Sequence, residues 1–163
     1  MQRRLIIMRH AKSSWKKQAP DDHERPLSSR GRRDAPRVAK ELARRGWIPE
    51  LVLSSDAVRA EQTWRRMSDC IGEVETRLLP QLYLGGIDAV REALRDVPET
   101  TSTIMVVGHN PGWEEMVTHL TSVHVHMTTA NAALVRVDAP SWPEAVAMAG
   151  AWSLERLVRP KEL

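Results

Sequence analysis

One cysteine, one tyrosine and no phenylalanine occur among the 163 residues. A single thiol, Cys70, excludes an intramolecular disulfide and suits a reducing compartment, so the cytoplasm is the expected location. Cys70 sits in no nucleophile motif, and a buried structural thiol is its simpler reading. Long apolar runs are missing as well. The first one, after Arg3 and Arg4, stops after four residues, too short for a signal-peptide core or a membrane span. There is no Walker-type glycine-rich loop, no DxD pair and no His-Cys cluster, so neither a nucleoside triphosphate nor a metal or other cofactor is called for. Charge is nearly balanced, at +3 with a pI near 9.4. That suits a phosphorylated or acidic ligand and is too little to imply nucleic acid.

What is present reads as one globular domain. The 42% hydrophobic and 28% charged content is ordinary, and the length suits a single core, not two. Leu5-Ile6-Ile7-Met8 predicts a short buried strand ending at Arg9-His10. A polar, aperiodic loop of about fifteen residues, from Lys12 to Leu27, comes next. Ser28 is a candidate helix cap. Ala35, Val38, Ala39 and Leu42 form an apolar stripe closed by Gly46, with Pro36 leaving open one kinked helix or two short ones. Arg33, Arg37, Lys40 and Arg44 line another face, which reads as solvated. Leu51 to Ser55 predicts a second buried strand, and Asp56 is the expected N-cap of a helix running to about Cys70. Further on, the pattern predicts an edge strand over Glu75 to Leu79 and a helix from Ile87 to about Arg95. Thr103 to Gly108 is a strong strand, with a helix from Trp113 to Leu120. Ala132 to Val137 and Ala151 to Leu157 predict two last strands, separated by a proline-containing turn. Strands alternating with helices in this way indicate an α/β layered domain with a largely parallel sheet.

Three of the strands end in residues that suit an anion. These are Arg9-His10, then Ser54-Ser55 with Arg59 one turn on, then Gly108-His109. In a parallel sheet their ends lie along one edge, where ligands of such sheets bind. Guanidinium groups match phosphate oxygens in pairs, and helix N-termini add N–H donors. A neutral imidazole can attack phosphorus, and neighbouring arginines favour its unprotonated form. A second imidazole can donate to the charge that develops. Phosphoryl transfer is the chemistry this group supports. Three other sets have a simpler reading beside the functional one. His119, His124 and His126 are candidate metal ligands or surface histidines. Thr128 to Asn131 border the site or form a turn. Trp15, Lys16 and Lys17 grip an acidic phosphoprotein or decorate an exposed loop.

Arg9-His10, Ser55, Arg59-Ala60-Glu61-Gln62-Thr63, Gly108-His109, and Arg25-Pro26-Leu27-Ser28 followed by Gly31 together resemble the histidine phosphatase superfamily, the phosphoglycerate-mutase-like fold. The short length, with Ala11 and Lys12 after the histidine, is most similar to its SixA-type phosphohistidine phosphatases. The resemblance spans about Leu5 to Ala133. It implies a three-layer α/β/α domain over residues 1–163 and a hydrolase. His10 would be the phosphorylated nucleophile, Arg9 and Arg59 the phosphoryl clamp, and His109 the residue completing the pocket. Ser13, Ser14 and Ser55 would contact the phosphate or the leaving group. No cofactor or metal is implied, and the partner would be a phosphorylated protein or a small phosphorylated metabolite. Larger members have glycine where this chain has Ala11. Many also place a carboxylic acid after the third strand, where this chain reads Gln81-Leu82-Tyr83-Leu84-Gly85-Gly86. General acid help is worth about 10²–10⁴ in rate for an alkoxide leaving group. Its absence points to a P–N bond, as in phosphohistidine. The rivals are a broad phosphomonoesterase with the same residues and a non-catalytic phosphate-binding module. Tyr83, Asp88 and Glu92 are fallback acids, competing with readings as a core-edge tyrosine and surface helix residues.

Overall fold

The computed structural model describes residues 1–15 and 21–163. Six strands form one sheet: β1 (Gln2–Arg9), β2 (Leu51–Ser55), β3 (Glu75–Leu79), β4 (Thr103–Gly108), β5 (Ala132–Asp138) and β6 (Ser153–Val158). Their spatial order is β3-β2-β4-β1-β5-β6. The first four in that order run parallel, β5 runs antiparallel to β1, and β6 runs antiparallel to β5. Helices α1 (Ser29–Arg44) and α2 (Val58–Ile71) cover one face, and α3 (Ile87–Ala93), α4 (Gly112–Thr121) and α5 (Trp142–Val146) cover the other.

Burial on both faces is why the central strands are continuously apolar and do not alternate. Ile6 and Met8 of β1 pack with Val52, Met105 and Val107 beneath Val38, Leu42 and Met67. Leu5 and Ile7 point the other way, into Leu53, Val106, Trp113, Met116 and Trp142. Each such side chain contributes roughly 1.5–3 kcal/mol by leaving water. Gly108 lies flat against the indole of Trp113, and a Cβ there would strike the ring. Arg3 is fully buried, its guanidinium donating to the carbonyls of Ala139, Glu99, Thr101 and Pro140. Four carbonyls thereby satisfy a charge that could not otherwise leave water.

The local expectations divide. α1 is one helix with Pro36 inside it, and Ser28 caps it by accepting from the Gly31 N–H at 3.1 Å. Asp56 does not cap α2. That helix starts at Val58 after Ala57, and the Asp56 carboxylate is 2.8 Å from His23 Nε2. The proline-containing turn is a helix: Pro143 sits in the first turn of α5, which Ser141 caps by accepting from the Glu144 N–H. Cys70 is partly exposed near the end of α2, packed against the core's margin and not within it. Among the described residues, no helix is long and apolar enough to cross a membrane.

Candidate active site

β1 and β4 are parallel neighbours, with Arg9 opposite Gly108, so their ends deliver His10 and His109 side by side. The ring centroids are 5.1 Å apart. The His10 N–H donates to the Gly108 carbonyl at 3.0 Å, and the Ala130 N–H donates to the His10 carbonyl at 2.9 Å. His10 Nδ1 lies 2.8 Å from the carbonyl oxygen of Ala11. A carbonyl can only accept, so Nδ1 carries the proton and Nε2 keeps its lone pair. The Ala11 N–H in turn donates to Thr63 Oγ1 at 2.9 Å, fixing the backbone beyond the histidine. His10 is 7% exposed. Burial pushes its pKa down to about 3; the Ala11 hydrogen bond opposes this, and His109, Arg59 and Arg9 reinforce it.

His109 Nε2 is 2.8 Å from Ser55 Oγ, the hydroxyl that also accepts from the Ala57 N–H at 3.1 Å. β2 thus anchors a histidine that β4 supplies. His109 is lowered to about 4, by burial first and then by Arg59. Its Nδ1 is buried and has no hydrogen-bond partner among the described residues.

The two arginines share a pattern. Arg9 Nη1 donates to the Met127 carbonyl at 2.8 Å, while its Nε is buried without a partner among the described residues. Arg59 Nη1 and Nη2 donate to the backbone oxygen and Oδ2 of Asp22 at 2.7 and 3.0 Å, and its Nε is likewise unpartnered. In a guanidinium, Nε–H lies along the edge shared with one proton of Nη2. Arg9 is therefore held by Nη1 and Arg59 by both terminal nitrogens, and in each the Nε–H has no partner among the described residues. A buried donor left unpaired costs about 1–3 kcal/mol. An oxyanion seated between Arg9 and Arg59 would remove that cost at both, and at His109 as well when the Ser55 hydroxyl donates to Nε2 and leaves the proton on Nδ1.

Asp22 reaches this edge from the loop after β1, through a short 3-10 turn (Asp22–Glu24). Its Oδ1 accepts from Arg25, and its Oδ2 accepts from the Tyr83 hydroxyl as well as Arg59. These bonds, Tyr83 first, hold its carboxyl well below the usual range. The Tyr83 ring meets His109 edge-on at 5.5 Å and His23 at 4.8 Å.

A family model for the histidine phosphatase superfamily (branch 1) matches residues 5–83. The phosphohistidine phosphatase SixA of Escherichia coli (strain K12) is 31% identical over 112 residues, which cover 66% of this chain and 67% of that protein. The chain belongs to the histidine phosphatase superfamily. An uncharacterized chloroplastic protein of Arabidopsis thaliana is 41% identical over 170 residues, 97% of this chain and 78% of that one. A solved structure of the protein histidine phosphatase SixA complexed with tungstate superposes with a TM-score of 0.83, at 26% identity over 98% of each chain.

Arg9, His10, Ser55, Arg59 and His109 come together at one edge of the sheet. Ser13 and Ser14 lie in the loop's seam. Ser13 bridges to Leu27, its hydroxyl accepts from Arg25 at 2.5 Å, and the Ser14 N–H donates to the Pro26 carbonyl at 2.8 Å. Tyr83 lies beside His109, its ring 5.5 Å from that of the histidine and its hydroxyl donating to Asp22. Asp88 and Glu92 are exposed and pair with Arg91 and Arg95 on the outside of α3. Sequence reasoning missed Asp22, whose signal is no more than a carboxylate three positions before Arg25-Pro26-Leu27 in an aperiodic loop. Trp15 is exposed, with the Arg25 guanidinium 3.6 Å above its ring; its companions Lys16 and Lys17 lie outside the described residues. His119, His124 and His126 are on the surface, and no group of three or more His, Cys, Asp or Glu able to hold a metal occurs among the described residues.

Proposed function

We propose that this histidine phosphatase hydrolyses phosphohistidine, in a phosphorylated protein, through a phosphoryl intermediate on His10. The observation that carries the reading is the fixed tautomer of His10: Nδ1–H is spent on the Ala11 carbonyl, and a bare Nε2 stands beside Arg9, Arg59 and His109. In the first step Nε2 attacks phosphorus while the substrate P–N bond breaks, its electron pair passing to the departing nitrogen. A phosphoimidazole protonated at its second nitrogen leaves as neutral imidazole, so no proton need reach the leaving atom. The Nε edges of Arg9 and Arg59 and the Nδ1–H of His109 stabilise the charge on the transferring oxygens. Water then attacks the phosphoryl group and the P–Nε2 bond breaks. His10 is restored, and the proton of water departs with orthophosphate.

An alkoxide leaving group would need an acid, and Asp22 does not supply one, since its carboxyl is held below the usual range by the groups bonded to it. The 31% identity to a phosphohistidine phosphatase supports the same substrate class. The test is a panel of phosphohistidine peptide, sugar phosphates and an aryl phosphate, with acid-labile phosphate trapped on the enzyme. Faster turnover of peptide than of the esters, with trapping lost in His10→Ala, is expected. Esters turned over far faster would make the protein a general phosphomonoesterase. Oxyanion binding with neither turnover nor trapping would make it a phosphate-binding module.

A further inference from the structure

We propose that Asp22 is a positioning residue, holding the terminal nitrogens of Arg59 so that the Nε edge of that guanidinium is presented to the phosphoryl group. The inference rests on the site reading above and adds a residue of the loop after β1 that belongs to no motif in the sequence. Arg59 meets Asp22 twice, at the backbone oxygen and at Oδ2, 2.7 and 3.0 Å away. Two contacts to one planar fork fix both its direction and its plane. One contact would leave the guanidinium free to swing.

Asp22 is itself immobilised. Arg25 Nε and Nη2 lie 3.0 and 2.9 Å from Oδ1, and Oδ2 receives both Arg59 and the Tyr83 hydroxyl. A carboxylate has about four acceptor positions, and Arg25 Nε, Arg59 Nη2 and the Tyr83 hydroxyl take three of them. With Asp22 committed to these groups, its effect on a substrate passes through the arginine. The backbone of the same turn is closed by the Glu24 N–H donating to Asp21 Oδ1 at 3.2 Å, and pinned by His23 on Asp56 at 2.8 Å. Among the described residues, the charged and titratable groups around Asp22 include Arg25, Arg59 and Tyr83 in contact, with Asp21, His23, Glu24, Asp56 and His109 just beyond. The other clamp arginine supplies an internal comparison. Arg9 also spends a terminal nitrogen on the protein and keeps Nε free, but its anchor is the neutral carbonyl of Met127, whose N–H donates to Glu114 at 2.7 Å.

The experiment compares wild type, Asp22→Ala, Asp22→Asn, Arg59→Ala and the Asp22→Ala/Arg59→Ala double variant in the full chain. It reads kcat and KM on phosphohistidine peptide and the affinity for tungstate by calorimetry. Misplacing a clamp by an ångström can cost about 10²-fold, so Asp22→Ala is expected to lower kcat by about 10–100-fold and to weaken tungstate binding. Asp22→Asn retains an acceptor oxygen and volume, and is expected to recover most of the loss. In the Arg59→Ala background, removing Asp22 should cost less than about twofold. Tighter tungstate binding by Asp22→Ala would overturn the inference, because the carboxylate would then be a competitor of phosphate. Full multiplicativity with Arg59→Ala would overturn it too. Should the alanine variant fail to fold, Asp22→Leu, which keeps volume and has no acceptor, decides: a kcat loss in folded protein that Asp22→Asn largely recovers supports the inference, and an unchanged kcat in Asp22→Leu refutes it. Wild type that neither binds tungstate nor turns over substrate would refute the site reading itself, a distinct outcome.

Discussion

Acid should spare the nucleophile while weakening the fold. At pH 4.5 an ordinary imidazole, of pKa 6.5, is about 1% neutral, whereas one lowered to about 3 remains roughly 97% neutral. Protonation of His10 would thus cost almost nothing in nucleophile concentration at that pH, against about 100-fold for an unburied histidine. Long-range proton–nitrogen NMR of the imidazole rings reads the state directly. His10 is expected to show the Nδ1–H tautomer and no titration between pH 8 and 4.5. The same burial acts oppositely on stability. Native His10 stays neutral while the unfolded chain takes up a proton near pH 6.5, so its contribution is complete above 6.5 and is lost as pH falls toward 3. By pH 4.5 the loss is on the order of 3 kcal/mol, and His109, lowered to about 4, shifts stability in the same direction. Urea unfolding at pH 7 and 4.5 measures it. A His10 ring that titrates near 6.5, or that carries its proton on Nε2, would refute the reasoning at its base.

Three substitutions probe other parts of the molecule. His109→Ala removes the unpartnered Nδ1 donor while leaving His10 in place; kcat for phosphohistidine peptide should fall by about 10²–10³, with phosphoenzyme still trapped slowly. Gly108→Ala drives a methyl into the indole of Trp113 and should lower stability by about 1–3 kcal/mol in urea titrations. Unchanged stability would mean that Trp113 can move aside. Arg3→Met leaves the carbonyls of Ala139, Glu99, Thr101 and Pro140 without that donor and should cost about 3 kcal/mol or more, seen as a lowered Tm.

Much of the sheet could be read directly, because the central strands, buried on both faces, carry uninterrupted apolar runs rich in β-branched residues. The site followed, since Arg9-His10, Ser55 and His109 are tips of those runs and a parallel sheet aligns its tips. Two local expectations failed for identifiable reasons. Asp56 is a favoured capping residue, but a partner from the preceding loop, His23, takes its carboxylate, and Ser55 serves the Ala57 N–H instead. Pro143 punctuates a turn in sequence, yet a proline in the first turn loses no helical hydrogen bond, so α5 forms around it. Asp22 was invisible for a different reason: its neighbours Arg59 and Tyr83 are 37 and 61 positions away, and no periodicity in the loop records that separation.

The strand order β3-β2-β4-β1-β5-β6 bears on when activity can appear during synthesis. β1 is made first, but both its partners, β4 and β5, are encoded after residue 102. β2 is separated from it by β4 as well, so residues 5–83, the segment that carries the family's signature, cannot close a sheet containing β1. A nascent chain at that length carries Arg9, His10 and Arg59 but lacks β4 and the His109 that β4 sets beside His10. Such long-range pairings must be made before they are rewarded, which places the domain among the slower α/β folders. The pocket is complete only once β4 pairs with both β1 and β2, which sets His109 beside His10 and within reach of Ser55.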